Sequence, residues 1–206
     1  MRRLSPLTVF VLSAFGWIIV LTGLWSQVSA WTSYPVGVLS HIVLEQGAPM
    51  WVREVHLQPD NMEVDTTVAI PVPGAGGRWA EITVGVSPAR YAYGLPVFLA
   101  LLLAARGKGR MAKAAAGYLL LLPAQAFSLT MSLLMQIVLN AQTSVHHLRV
   151  SQWQMEAIVY GYQMGSLIVP TLVPILLWLW LDRKFVNDVL VKGWRASLAP
   201  SAPPPR

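Results

Sequence analysis

Residues 157–181 read AIVYGYQMGSLIVPTLVPILLWLWL, an apolar run without a charged side chain. At about 1.5 Å of rise per residue, roughly 20 helical residues cross a hydrocarbon core about 30 Å thick. The run therefore predicts a membrane-spanning helix. Composition agrees with this interpretation, since 55% of the residues are hydrophobic and only 12% are charged, whereas about a quarter are charged in soluble domains.

Three further apolar runs predict a mainly α membrane protein with about four transmembrane helices. The first extends from Leu4 to beyond Trp25, and the third has no charged residue between Ala114 and His146. The second, Tyr91–Ala105, is short for a full span. Val28-Ser29-Ala30 resembles a signal-peptidase site, but the run before it exceeds the usual length of about 7–15 residues, which favours a retained anchor.

The charged residues are distributed asymmetrically between these runs. Basic side chains cluster before the first run, between the second and third, and after the fourth, whereas most acidic side chains lie between residues 31 and 90. Basic loops tend to stay on the cytoplasmic side of a bilayer, so we predict that both termini are cytoplasmic. Topology thereby explains the net charge of +6, and no nucleic acid partner is predicted.

These features predict four parts of the chain. Residues 1–30 form a transmembrane anchor, 31–90 an extracytoplasmic segment with a small β domain, 91–184 a three-helix transmembrane bundle, and 185–206 a basic, proline-rich cytoplasmic tail. Each boundary is placed where the apolar character or the charge of the sequence changes.

The β segment is predicted from alternation between the first and second runs. Met62–Thr66 and Trp79–Val84 alternate apolar and polar residues with the period of a half-buried strand, and Pro73–Gly77 is a strong turn signal. Trp51–Val55 is a candidate third strand. Because a lone hairpin is marginally stable in water, we expect this segment to pack on the membrane-proximal helices or on a partner.

The sequence contains no recognisable catalytic or metal-binding pattern. It has no cysteine, which excludes a thiolate nucleophile, a thiolate metal site and a disulfide. His146 and His147 could join Glu156 in a site, but adjacent histidines point in different directions on a helix. His41 and Glu45 supply only two ligands. We therefore predict no catalytic residue, no cofactor and no metal.

Polar and small residues inside the apolar runs are better candidates for function, because hydrocarbon makes an unpaired polar group costly. Gly161 and Gly165 have the GxxxG spacing that lets another helix approach closely. This contact is either internal packing, which we favour, or docking of a partner's helix. Pro170 and Pro174 predict a kink in the fourth run. The candidate interaction residues are Gln125, Gln136, Tyr160, Gly161, Gln163, Gly165, Tyr93 and Pro96.

A resemblance to a known family rests on five parts of the sequence: Tyr91-Ala92-Tyr93-Gly94-Leu95-Pro96, Trp153–Ile158, Gly161–Gly165, Pro170–Pro174 and Trp178. In these segments and in its layout of one span, a small extracytoplasmic segment and three further spans, the chain resembles the exosortase H-associated membrane proteins of Gram-negative bacteria. The resemblance covers nearly the whole chain. It implies a place in the inner membrane beside exosortase, a polytopic enzyme that processes proteins with a C-terminal sorting signal. Exosortases use a cysteine nucleophile, which this chain lacks.

We therefore expect a non-enzymatic accessory protein, surrounded by membrane lipid, that binds exosortase or its helical substrate. One alternative is a small translocation or transport subunit, although the spans carry no Asp, Glu, Lys or Arg near their centres. Another is a membrane enzyme that uses His146, His147 or Glu156. That enzyme would require these side chains to converge within about 3 Å of a common point.

Overall fold

The structure, a computed structural model, describes residues 5–71, 79–141 and 150–191. Its helices and strands, in chain order, are α1 (Pro6–Gly47), β1 (Val52–Leu57), β2 (Met62–Pro71), β3 (Trp79–Val86), α2 (Ala89–Ala92), α3 (Gly94–Ala104), α4 (Arg110–Ala141), α5 (Gln152–Gln163), α6 (Val169–Leu181) and α7 (Arg183–Phe185). A π-helical turn, Met164–Ile168, joins α5 to α6, and a second one, Val186–Val191, follows α7.

Three helices are long and apolar enough to cross a membrane: α1, α4 and the continuous stretch Gln152–Leu181. A fourth apolar stretch, Ala89–Ala104, is shorter. This confirms the predicted fold class of a mainly helical membrane protein with a small sheet after the first helix. The second apolar run is also short in the structure, as the sequence indicates.

Helix α1 is longer than the predicted anchor. It runs for 42 residues, about 60 Å at helical rise, so the boundary predicted at residue 30 falls inside the helix. Its first part is mostly exposed, whereas Val36 and Leu44 are buried against the sheet and α4. The helix continues through Pro35, and its second half has a core to pack against.

The three strands form an antiparallel sheet in the order β1-β2-β3. Val64 pairs with Val55 on one side and with Val84 on the other, and all three side chains are buried. Their face joins α1 and α4 in one hydrophobic core. The predicted hairpin and third strand are thus confirmed, and the sheet packs on helices. The predicted turn at Pro73–Gly77 lies outside the described residues.

A second hydrophobic core lies at the other end of the bundle. The rings of Phe10 and Trp178 stack with their centroids 5.4 Å apart, and Phe185 packs against Phe10 at 5.0 Å. Leu102 and Leu121 are buried in the same cluster. This core ties the start of α1 to the end of the fourth apolar stretch.

The prolines of the fourth apolar run coincide with a change of helix type. The π-helical turn Met164–Ile168 immediately precedes α6, and the backbone N–H of Val169 donates to the carbonyl of Met164. Pro170 lacks an N–H and its ring needs space beside the preceding turn. A π turn is a common way for a helix to accommodate such a local irregularity.

Candidate interaction site

The short second apolar stretch is held against the fourth at a point with almost no free space. A Cβ atom added at Gly94 would lie 2.6 Å from Cγ of Pro174 and 3.0 Å from the carbonyl oxygen of Pro170. Gln125 Nε2 donates to the carbonyl of Ala92 over 3.4 Å. These contacts join α3 to α6 and α2 to α4 inside the bundle.

Tyr91 adds a buried polar contact beside this point. Its hydroxyl is hydrogen-bonded to Ser132 Oγ of α4. Both residues are buried, so the pair satisfies two hydroxyls that would be costly to leave unpaired in an apolar environment. The polar side chains of the third run therefore bond within the chain at this position.

The glycine pair of the fourth run faces the chain's own third run. A Cβ atom at Gly161 would lie 2.6 Å from the sulfur of Met131, and one at Gly165 would lie 3.0 Å from Cα of Ser128. Both contacts are with α4. The space that the GxxxG spacing provides is thus filled by internal packing, and these two glycines do not present a free surface.

The opposite face of the same stretch is exposed. Trp153, Tyr160 and Leu167 follow one another at intervals of seven residues, and their side chains are 69%, 64% and 69% exposed. Met164 is 50% exposed, and Gln163 is exposed as well. Residues seven apart lie on one side of a helix, so these five residues form an outward stripe.

One end of the outward stripe borders a cavity of about 290 Å³. The cavity lies where α1 ends, β1 begins and α5 begins, and its walls include Met50, Trp51, Leu134, Trp153 and Ile158. Trp153 belongs to both features. The stripe and the cavity therefore make one continuous, mostly apolar surface beside the sheet.

The family model described as "Exosortase H-associated membrane protein" matches residues 4–185. The chain belongs to this family. No curated protein and no solved structure matched it. The matched range includes all three long apolar helices and the sheet, so the exosortase H-associated fold comprises both the bundle and the β segment.

The eight candidate interaction residues of this exosortase H-associated protein divide by location. Tyr160 and Gln163 lie on the outward stripe, while Gln125 and Pro96 are buried. The remaining positions are internal or half-buried: Gln136, Tyr93, Gly161 and Gly165. Trp153, Met164 and Leu167 of the stripe are not among the residues predicted from the sequence, although the seven-residue spacing of Trp153, Tyr160 and Leu167 is visible there.

The exposed face of the sheet carries several charged side chains that contact one another. Arg53 on β1 and Glu81 on β3 form a bidentate ion pair across β2, with both N–O distances 2.5 Å. Asp65 accepts a hydrogen bond from the Thr83 hydroxyl at 2.7 Å and contacts His56 Nε2 at 3.1 Å. The Thr83 hydrogen bond, followed by His56, holds the pKa of Asp65 below its ordinary value of 3.8.

The alternative metal and catalytic groups are not assembled among residues 5–71, 79–141 and 150–191. No group of three His, Asp or Glu side chains there is arranged to hold a metal. His41 and Glu45 form a pair at 2.8 Å, and Glu156 accepts a hydrogen bond from Gln152 at 3.0 Å. His146 and His147 lie outside the described residues.

Proposed function

We propose that this protein is a non-enzymatic accessory protein of the bacterial inner membrane. It assists exosortase-dependent sorting of surface proteins by binding exosortase or the helical C-terminal sorting signal of its substrates. The family name supports an association with exosortase. The observation that carries the binding mode is the outward stripe, which lies opposite the internally packed glycines.

Within the stripe, the polar side chain of Gln163 favours contact with a protein partner over contact with lipid. It lies about 27 Å along the helix from Leu181, at the end of the last apolar span. With Leu181 at the inner edge, as the basic residues after it favour, we expect the exposed amide just inside the outer edge of a hydrocarbon core about 30 Å thick. An amide facing lipid there is costly, whereas a neighbouring helix with polar groups satisfies it.

The aromatic residues of the stripe fit the same arrangement. Tyr160 and Trp153 lie farther from Leu181 than Gln163 does, so they fall at and beyond the outer interface. Trp and Tyr favour this zone in any membrane protein, and they also dominate binding energy at protein interfaces. The stripe therefore offers aromatic anchors outside the hydrocarbon core and an amide within it.

A non-enzymatic role is supported by the chemistry of the chain. Sorting by exosortase requires a cysteine nucleophile, and this sequence has none. The buried polar groups Gln125 and Ser132 are used in contacts within the bundle. The distribution of basic residues supports cytoplasmic termini, with the sheet and the outward stripe on the outer side.

Affinity purification of the tagged full-length protein from its native membrane in mild detergent tests this function. Quantitative mass spectrometry is expected to find exosortase or its sorted substrates enriched over an unrelated tagged membrane protein of similar abundance. A known complex from the same membrane shows that the detergent preserves such contacts. Recovery of neither exosortase nor a sorted substrate, while that control complex survives, would contradict the proposal.

A further inference from the structure

A second cavity lies at the opposite end of the bundle from the outward stripe. It has a volume of about 610 Å³ and lies between the turn that joins α3 to α4 and the end of α6. Its walls combine apolar and charged side chains: Lys108, Lys113, Trp180, Asp182, Lys184 and Phe185 are among them. No part of the proposed exosortase contact uses this cavity.

The charges of the cavity walls leave an excess of cations. Lys113 and Asp182 form an ion pair at 2.6 Å, in which the aspartate is only 3% exposed. Asp188 is the other acid in the walls. Against these two acids stand four bases, since Arg183 also lines the cavity with Lys108 and Lys184. Lys108 and Lys184 are exposed, so their ammonium groups are accessible to a ligand.

The ion pair belongs to the wall and supports its shape. The loop beside it turns sharply, with Arg106 at φ 51° and Gly109 at φ 72°. A Cβ atom at Gly107 would lie 3.1 Å from one carboxylate oxygen of Asp182. The loop backbone thus packs directly on the aspartate. Lys108 follows Gly107 directly, so it extends from a loop that packs on the end of α6.

The apolar part of the cavity lies at the end of the fourth apolar stretch. Trp180 is 54% exposed in the last turn of the fourth apolar stretch, with the guanidinium of Arg183 5.7 Å from its ring centroid. Phe185 contacts Phe10 of α1. An exposed tryptophan at the end of a span is typical of the headgroup layer. Cations and apolar surface therefore meet at the end of an apolar span, where lipid headgroups lie beside such helices.

We propose that this cavity binds the headgroup of an anionic phospholipid. The phosphate lies between Lys108 and Lys184, and the acyl chains follow the apolar surface beside Trp180. A basic cavity between helix ends at the cytoplasmic face is the kind of site that holds acidic headgroups. The net excess of cations favours an anionic over a zwitterionic lipid. The adjoining apolar surface favours a lipid over free phosphate.

Native mass spectrometry of the delipidated full-length protein tests the site. Phosphatidylglycerol, phosphatidylethanolamine and phosphatidylcholine are added separately at matched concentrations. We expect phosphatidylglycerol to bind at least severalfold more tightly than the other two. In a Lys108→Gln/Lys184→Gln variant, affinity for phosphatidylglycerol is expected to fall by about fivefold for each lysine removed. The control is Arg90→Gln, which removes an exposed cation near the sheet and is expected to leave this affinity unchanged.

Three results would overturn the proposal. They are equal binding of all three lipids, equal losses in the double variant and in Arg90→Gln, and displacement of the lipid by inorganic phosphate at comparable concentration. The last result would show a site for phosphate alone. Because Lys108 and Lys184 are exposed, the double variant is expected to fold, and its melting temperature without lipid checks this. The single variant Lys184→Gln gives an independent measure of the same affinity.

Discussion

Gly94 of α3 and Pro174 of α6 contact each other with no space for a methyl group, since an added Cβ atom would lie 2.6 Å from the proline Cγ. The same atom would lie 3.0 Å from the carbonyl oxygen of Pro170. Pro174 has no N–H to donate to that carbonyl, which is its usual partner in a helix. Two of the segments that carry the family resemblance thus meet in one tightly packed contact.

Gly94→Ala is expected to destabilise the protein by about 1–3 kcal/mol, because overpacking a well-packed core forces neighbouring atoms to shift. The matched control is Gly23→Ala in α1, where an added Cβ atom has nothing within 4 Å. Thermal unfolding of both variants in the same detergent measures the difference. Equal melting temperatures would show that α3 and α6 do not pack as described.

The sequence was sufficient to predict the apolar spans and the hairpin strands, because each rests on a local pattern of apolar and polar residues. Runs without charge identify the helices, and alternation over Met62–Thr66 and Trp79–Val84 identifies two strands that pair in the structure. Such patterns depend only on which face of an element is buried. Neither pattern depends on which helix or strand packs against the element.

The full length of α1 was not predictable in this way. The predicted anchor ends at residue 30, yet Ser33 and Ser40 beyond it are buried side chains of the same helix. Ser33 donates to the carbonyl of Ser29 at 2.6 Å, and Ser40 donates to the carbonyl of Ala126 at 3.1 Å. Hydroxyls satisfied by backbone carbonyls are compatible with a buried helix, but the distant carbonyl of Ala126 is known only from the fold.

The glycine pair shows the same limit at the candidate site. The GxxxG spacing correctly indicates that a helix approaches Gly161 and Gly165 closely. It does not indicate whether that helix belongs to the same chain, because either partner would need the same small residues. In the structure that helix is α4 of the same chain. Only the exposed side of the fourth apolar stretch therefore remains for a partner.

Gly165→Ala is expected to destabilise the protein more than Gly161→Ala. At Gly165 the added atom meets Cα of Ser128, which moves only if a helix moves, whereas at Gly161 it meets the flexible side chain of Met131. The difference in unfolding free energy is expected to be about 1 kcal/mol or more. Chemical denaturation of both variants in one detergent measures it. The reverse order would contradict the described packing of α4.

Asp182→Asn is expected to destabilise the protein, because Lys113 then loses its carboxylate partner at 2.6 Å. Removing one member of a buried pair costs about 3–5 kcal/mol. Because Lys113 is partly exposed, we expect Asp182→Asn to lower the free energy of unfolding by about 3 kcal/mol or less. A Lys113→Met/Asp182→Leu double variant is expected to recover much of the loss. Melting temperatures of Lys113→Met, Asp182→Leu and the double variant form the test, and a double variant whose loss equals the sum of the two single losses would exclude coupling.

Thr83→Val is expected to raise the pKa of Asp65 towards 3.8, because the hydroxyl that stabilises its carboxylate is removed. The lowered pKa in the folded protein stabilises the sheet above the unfolded value and ceases to do so as pH falls through the folded value. The stability difference between wild type and variant should therefore shrink as pH falls below about 4. Carboxyl NMR titration of the protein in detergent micelles measures the pKa directly. A difference that grows on acidification would contradict this sign.

Gln163→Leu and Leu167→Ala are each expected to reduce recovery of exosortase or its substrate by about tenfold, the size of loss found for central interface residues. Leu176→Ala is the matched control, since Leu176 is also exposed, at 52%, but lies nearer the other end of the span. Side chains that face only lipid contribute little to a specific contact, so this control should keep wild-type recovery. Quantitative mass spectrometry of the tagged variants at equal expression measures the effect. Equal losses in all three variants would mean that the outward stripe is a lipid-facing surface, even where wild-type association with exosortase is found.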